Sequence, residues 1–310
     1  MFGMNRAKRY PAPIPITGIQ IYSIMSQPIH PFLFVARCSL SLWLGLCAVA
    51  AHGQDGALTP LSGHFLVLDG GLHYGYLRDP GVSPLIYGGP IPFAGAAWRS
   101  EQPQWELEVG GGFGYGQYKA NRSFRVSTSI QNIQHRMGYF RRVMESPSGK
   151  LQLRAGLSYQ GFTNYRVTSA FRNNAGVLES LHSILGGLKL QWGGLRPSPA
   201  SQWFIFRRKA GLRGWLLRAE CSAAFLHGSW RPDFAYLSDF TGGKVPVGKQ
   251  NTWAMGGRHW YLRSELQYFM RNGNAWKIGY SADLQKSGDP FYPLETAQYL
   301  SGLGLLVRLN

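Results

Sequence analysis

Residues 104–118 read QWELEVGGGFGYGQY, and this stretch decides between two kinds of protein. Trp105, Leu107 and Val109 alternate with Glu106 and Glu108, and five glycines then follow within seven residues: Gly110, Gly111, Gly112, Gly114 and Gly116. A dinucleotide loop needs G-x-G-x-x-G between a strand and a helix. Here the spacing is G-x-G-x-G, and the following KANRSFRVSTS carries no helical apolar stripe. The period of two continues instead. Phe113 and Tyr115 extend the apolar side, while Gly110, Gly112, Gly114 and Gly116 fall in phase with the two glutamates. The stretch therefore reads as one long strand whose polar face loses its side chains halfway along. Glycine there permits coiling and close approach of another group. Bulky side chains from opposite strands, an inward-folded loop or a ligand could each fill the bare strip.

The same period runs through most of the chain beyond residue 60. KLQLRAGLSYQ sets Leu151, Leu153, Leu157 and Tyr159 against Gln152, Arg154 and Gln160. ILGGLKLQW sets Leu188, Leu190 and Trp192 against Lys189 and Gln191, and RGWLLRAECSAAF sets Trp215, Leu217 and Phe225 against Arg218 and Glu220. HWYLRSELQYFM, WKIGYSADLQ and QYLSGLGLLVRLN repeat the pattern, with Arg263 and Glu265, Lys277 and Asp283, and Arg308 on their polar sides. Strands of about ten residues exceed the usual five or six of a soluble sheet and match a tilted membrane crossing. No helical stripe separates them, which excludes a βαβ enzyme.

Counted in this phase the chain holds ten strands, near 63–77, 90–99, 104–118, 127–145, 150–165, 177–192, 212–228, 251–270, 276–286 and 297–309. Twelve result if 193–211 forms an extra hairpin, and eight if the second strand is a loop arm. Short connections (100–103, 146–149, 272–274) alternate with longer ones (78–89, 119–126, 166–176, 229–250, 287–296), as expected of a transmembrane antiparallel up-and-down β-barrel. The segment 193–211 breaks that alternation.

Composition agrees. Glycine (40) and aromatic residues (14%) are abundant, while charged residues reach only 15%, against roughly 25% in an ordinary soluble domain. PFLFVARCSLSLWLGLCAVAAHGQ (31–54) has an early Arg37, an apolar centre and small residues at its end, the anatomy of a secretory signal. Residues 1–24 then read as a mis-called N-terminal extension, 25–53 as the signal peptide and 54–310 as a single barrel domain. Cys38 and Cys47 leave with the signal, so Cys221 alone stays and no intrachain disulfide can form. Removing Arg6, Lys8, Arg9 and Arg37 from 32 basic residues leaves 28 against 15 acidic, a net +13. In an exported chain that excess suits an anionic membrane surface rather than nucleic acid.

Aromatic placement separates a barrel from a soluble sandwich. Trp105, Trp192, Trp215, Trp260 and Trp276, with Tyr74, Tyr115, Tyr159 and Tyr268, lie on the apolar face toward strand ends, where interfacial girdles form. At this point the chain resembles the small outer-membrane β-barrel proteins of Gram-negative bacteria, particularly those of Bacteroidota type. The resemblance rests on AHGQ (51–54), on GGLHYGYLRDPGVSPLIYGG (70–89) and on the final GLGLLVRLN (302–310). It implies a cell outer-membrane location and, as partners, outer-membrane lipid, lipopolysaccharide and the barrel-assembly machinery. It implies no catalytic residue and no cofactor. The terminal aromatic usual in that family is absent, since the chain ends Leu309-Asn310.

The inward set then predicts a charge network of Asp69, Glu106, Glu108, Glu220, Glu265 and Asp283 with Arg154, Lys189, Arg218, Arg263, Lys277 and Arg308. Six against six suits a salt-bridged closed interior, because buried charges need partners. The excess outside it (Arg122, Arg125, Arg166, Arg172, Arg231, Lys244, Lys249) is expected at lipopolysaccharide phosphates. Phe234, Tyr236, Phe240, Phe291 and Tyr292 are candidate loop contacts, or a lid over the mouth. Nucleophilic catalysis needs Ser, His and an acid together. Among His64, His73, His182, His227 and His259, only HGS (227–229) puts His and Ser on one face, while His182 and Ser183 point to opposite sides. Asp233 and Asp239 form an acid pair with no Asp-His pair to match, and no metal-ligand spacing occurs. Three functions stand as expectations: a structural or surface-recognition barrel, a small-solute or lipid transport channel, and a lipid-modifying enzyme.

Overall fold

The computed structural model describes residues 61–79, 85–121, 123–168, 175–198, 202–203, 206–207, 211–231, 234–238, 243–247, 250–256, 258–287 and 294–309. The expected extension (1–24) and signal (25–53) lie outside them. The strands are β1 (Gly63–Arg78), β2 (Ile86–Glu101), β3 (Trp105–Ala120), β4 (Ser123–Glu145), β5 (Leu151–Thr168), β6 (Ala175–Ser198), β7 (Gln202–Trp203), β8 (Phe206–Arg207), β9 (Gly211–Arg231), β10 (Phe234–Ser238), β11 (Gly243–Val247), β12 (Gln250–Met255), β13 (His259–Phe269), β14 (Ala275–Ser287) and β15 (Leu294–Leu309).

Every long strand pairs antiparallel with its chain neighbours, β6 pairs with β9, and β1 closes on β15 with His64 opposite Leu309. Closure leaves no free edge, so the ladder satisfies the main chain all round. β12 and β13 both pair with β9 and are two segments of one barrel strand, interrupted at Gly256, whose φ is +74°. The barrel therefore has ten strands. β7–β8 and β10–β11 are separate two-stranded hairpins that add none to it. The 193–211 segment is partly a prolongation of the barrel, since Gly193–Ser198 continues to pair with Gly211–Leu216.

Loops prove shorter than the sequence suggests. Residues 87–89 pair with β1, and only Asn121 and Arg122 separate β3 from β4, so the expected 119–126 loop is largely strand. The contrast between a short-turn end (102–104, 146–150, 270–274) and a loop end (79–85, 169–174, 232–249, 288–293) survives with two exceptions, that one and the long 199–210 connection at the turn end. Both barrel termini lie at the turn end.

Alternation sorts side chains as the period of two requires. Leu72, Phe113, Met137, Leu157, Leu188, Ile278 and Leu303 are exposed on the outer wall. Trp215 packs on Tyr268 with ring centroids 4.5 Å apart, and Trp105 lies 6.5 Å from Tyr139, both toward the turn end. The lumen is layered. Leu61, Phe65, Val67, Leu195, Leu216, Phe269, Ala275 and Leu306 form an apolar plug at the turn end. Leu77, Tyr87, Ile91, Tyr118, Ala120, Ile130, Phe162, Leu181 and Leu294 form a second apolar cluster toward the loop end.

Between these layers lies the glycine strip. A methyl group on Gly110 would overlap Ala97, one on Gly112 would overlap the Phe93 ring, and one on Gly116 would overlap Ile91. The bare face is thus covered by β2, the adjacent strand, whose Ile91, Phe93 and Ala97 lean across it.

Candidate functional site

The middle of the lumen is an ionic lattice. Arg99 grips Glu108 with Nε at 2.8 Å and Nη2 at 2.6 Å, and reaches Glu265 at 3.5 Å. Arg154 reaches Glu106 at 3.1 Å and Glu101 at 3.3 Å. Arg218 holds both oxygens of Glu101 and meets Glu106 at 3.3 Å. Lys189 stands 2.7 Å from Glu106, and Lys277 bridges Asp69 at 2.6 Å and Glu265 at 3.2 Å. Arg136 pairs with Glu220 and donates to the Tyr261 hydroxyl at 3.0 Å. Arg263 pairs with Glu265 and spans to Glu108 at 2.6 Å.

Two of these contacts cross the whole barrel. β3 and β13, and likewise β2 and β9, stand five places apart in the ten-strand ring, so Arg263–Glu108 and Arg218–Glu101 tie opposite walls together. Each glutamate of the lattice meets several donors, which offsets the desolvation that burial imposes on a single pair.

The predicted network is thus mostly assembled, with changed membership. Arg308 lies outside it and donates through Nη2 to the Ser62 carbonyl at 3.4 Å. Asp283 belongs to a different cluster. Glu101, Arg99 and Arg136 join instead, so the acids stay at six and the bases become seven. Glu101 escapes sequence reasoning because SEQP looks like a turn, whereas β2 runs on to Glu101, and Arg99 escapes although it lies within the expected strand 90–99, because Gly95 and Ala97 before it carry no polar side chain to mark an inward face. Arg136 escapes because both faces of β4 are mixed: His135 points out and Phe140 points in. A strand two residues longer was the available signal for Glu101.

Nearer the loop end, most of the polar groups are uncharged, apart from Asp283 and the ion pairs of Arg166 with Asp79 and Glu179. Asp283 Oδ2 lies 3.0 Å from His259 Nε2, His259 Nδ1 lies 2.7 Å from Ser183 Oγ, and Ser183 Oγ lies 2.6 Å from His227 Nδ1. A carboxylate only accepts, so with both rings neutral the direction is fixed. His259 donates from Nε2 to Asp283, Ser183 donates to His259 Nδ1, and His227 donates from Nδ1 to the serine oxygen. Four adjacent strands, β6, β9, β13 and β14, supply this relay. Ser183 and His227 pair directly across β6 and β9. Sequence reasoning set His227 beside Ser229, but Ser229 instead meets Thr252 at 2.7 Å. No local motif marks Ser183, His259 and Asp283, because strand register brings them together.

A cavity of about 140 Å3 lies against the glycine strip. Gly95, Gly110 and Gly112 form part of its wall, Glu108, Arg136 and Arg263 line its lattice side, and His73, Gln134, Gln160 and Gln298 supply neutral polar groups. Gln134 donates to Gln298 at 3.2 Å.

Among the described residues, the middle of the outer wall carries a polar cluster. Tyr159 OH sits 3.1 Å from His135 Nε2 and 2.7 Å from His182 Nδ1, among outward Ile133, Met137 and Leu157. Gly161 leaves room for the His135 ring, which a Cβ would overlap. Tyr159 is thus a mid-strand hydrogen-bonding residue rather than a girdle aromatic.

Arg166, expected at the outer surface, is buried in the lumen and pairs with Asp79 at 3.0 Å and Glu179 at 3.5 Å. Phe240, Phe291, Tyr292, Asp239, Arg122, Arg172 and Lys249 lie outside the described residues, as do the side chains of Phe234, Tyr236, Arg125, Arg231 and Lys244. No group of three metal-ligating side chains occurs among the described residues.

No protein-family model and no curated protein matches this chain. Among solved structures, the outer membrane protease OmpT from Escherichia coli aligns with TM-score 0.52 at 10% identity, covering 83% of this chain and 99% of that one. The translocator domain of autotransporter NalP from Neisseria meningitidis aligns at 0.35 (11% identity, 90% and 98% covered), and Neisserial surface protein A at 0.30 (11% identity, 80% and 98% covered). Only the first bears on this chain, and it bears on the fold: a bacterial outer-membrane type of β-barrel.

Proposed function

We propose that the chain is a closed, non-conducting barrel of the bacterial outer membrane, a structural scaffold that holds its loop end at the cell surface. One observation carries the reading: Arg263–Glu108 and Arg218–Glu101 bridge opposite walls through the centre of the lumen, between two apolar layers. A conducting pore requires a continuous wet path, and cross-braces anchored on buried charges interrupt one. The exposed apolar wall with aromatic residues toward its ends supports lipid as the surrounding medium. The same reading takes residues 25–53 as a removed signal, and takes outer-membrane lipid, lipopolysaccharide and the barrel-assembly machinery as partners. Its loop aromatics, Phe234, Tyr236, Phe240, Phe291 and Tyr292, would supply surface recognition. In planar bilayers the purified protein is expected to give no single-channel steps. Stable channels would overturn the closed reading, and recovery of folded protein from the soluble periplasm would overturn the location.

A second, hydrolytic reading is favoured by the Ser183–His259–Asp283 connectivity, which is that of an activated nucleophile. Against it, Ser183 is buried and a second imidazole caps its oxygen. Labelling of Ser183 by a fluorophosphonate, abolished by Ser183→Ala, would establish that reading, and an unlabelled folded protein would dismiss it.

A further inference from the structure

We infer that the turn end of the outer wall binds one anionic phospholipid, its phosphate held by Arg196 and Arg213 beside Trp192 and Trp215. The inference rests on the reading of the wall as a lipid face. Arg196 on β6 and Arg213 on β9 are exposed and stand directly opposite each other in the ladder. Directly opposed side chains have Cβ atoms about 4.5–5.5 Å apart, and like charges so placed destabilise a sheet. The segment 193–215 contains no acidic residue, and its charged members are Arg196, Arg207, Arg208, Lys209 and Arg213. In the neighbouring 146–150 turn, Glu145 at the end of β4 is held by Arg142. Two guanidinium groups set side by side at the surface are arranged for an anion that both can grip.

The order of side chains along the two strands selects a lipid as its carrier. On the outer face of β6, Leu188 and Leu190 are followed by Trp192 and then by Arg196, and in phase with them β9 carries Leu217, Trp215 and Arg213. Leu188 and Leu190 are exposed, and Trp215 packs on Tyr268. Apolar wall, indole, then cation is the order in which a phospholipid presents its acyl chain, ester region and phosphate. Arg213 lies two residues beyond Trp215, about 7 Å along the strand, so the charge follows the interfacial ring directly. Arginine meets phosphate oxygens with a fork of N–H donors. A headgroup with its own ammonium would bring a further cation to the pair, so the site favours a phosphate without one, as in phosphatidylglycerol. Short turns face the periplasm in barrels of this kind, which assigns the lipid to the inner leaflet. The prolonged pairing of Gly193–Ser198 with Gly211–Leu216 thus gains a purpose, because it carries both arginines past the indoles on a rigid ladder.

The test uses the full chain purified in detergent, with folding of each variant verified by heat-modifiable gel migration. Phosphatidylglycerol and phosphatidylcholine with matched acyl chains are offered in equal amounts, and retained lipid is counted by native mass spectrometry. Phosphatidylglycerol is expected to be preferred about tenfold. Arg196→Gln and Arg213→Gln should each cut that preference about threefold, and the double variant should abolish it. If one of them does not fold, the other decides. Arg141→Gln, exposed at the turn end of β4, should change nothing. Excess inorganic phosphate should not displace the lipid, because it lacks the acyl chains that the leucines and indoles hold. Equal retention of the two lipids, a preference unchanged by the Gln variants, an equal loss in Arg141→Gln, or displacement by phosphate would each overturn the site. As a second measurement, Arg213→Gln should raise the urea midpoint in phosphatidylcholine vesicles, where the opposed charges repel, and lower it in phosphatidylglycerol vesicles. Shifts of the same sign in both would overturn the site as well. Failure of the chain to enter either vesicle would sink the lipid-face reading and the site with it, whereas insertion without headgroup preference would sink the site alone.

Discussion

The two polar regions of the lumen are built by opposite rules. Around Glu106 and Glu108 the groups are ionised, and each carboxylate meets more than one cation. Around Ser183 and Gln160 most groups are neutral and are joined in a chain, in which Ser183 meets both His227 and His259. Multiple ion pairing fixes geometry, because breaking a contact leaves a charge short of a partner in a low-dielectric interior. Neutral hydrogen bonds tolerate exchange of partners. The difference teaches where the molecule is rigid by construction and where it can accept something else.

The sharpest way to break the comparison is to remove one member of the lattice. Arg99→Ala strands Glu108 beneath the remaining cations and is expected to cost about 3–5 kcal/mol, read as a lowered midpoint in urea unfolding from lipid vesicles. Replacing Arg263 and Glu108 together by Met and Leu should cost far less than the sum of the single changes, because neither charge is then left alone. A double cost equal to the sum of the two single costs would show that the lattice is not a coupled unit.

In the neutral region the expected effects are smaller. Asn132 Nδ2 donates to Asn164 Oδ1 at 2.7 Å, with both groups buried. Asn132→Ala should cost about 1–2 kcal/mol, with no change in the stability contributed by the lattice. A loss as large as that of Arg99→Ala would erase the distinction between the regions.

What was legible in the sequence follows the same division. Strand number and facing were readable because each strand carries its own alternation: Trp105, Leu107 and Val109 against Glu106 and Glu108 need no partner to be assigned. Inward charges such as Arg218, Glu220, Arg263 and Glu265 were found for that reason. Relations between strands were not readable. Whether Asp283 serves Lys277 on its own strand or His259 on the next depends on stagger, which no residue pattern records. Ser183 and His259 are separated by 76 positions and meet only through register. Strand ends were misread where polar residues continue the ladder, as at Glu101 and in KANRSFRV.

The smallest effects belong to the outer surface, where both rules lapse. Lys286 and Glu295 stand 3.4 Å apart near the loop end, with the lysine side chain 57% exposed. Water screens such a pair and its side chains are costly to order, so Lys286→Ala should shift stability by at most about 0.5 kcal/mol. Tyr159→Phe on the apolar wall is the informative intermediate. It deletes one hydroxyl held between His135 and His182, and hydrogen bonds facing hydrocarbon average only about 0.6 kcal/mol in measured cycles. If lipid surrounds this wall, the two imidazoles lose their shared partner with no water to replace it, and the cost should exceed that of Lys286→Ala. In a water-exposed wall, solvent would take the place of the hydroxyl and the two substitutions would become indistinguishable. The same pair of variants measured in vesicles and in detergent therefore tests whether the hydrophobic exterior is a membrane face.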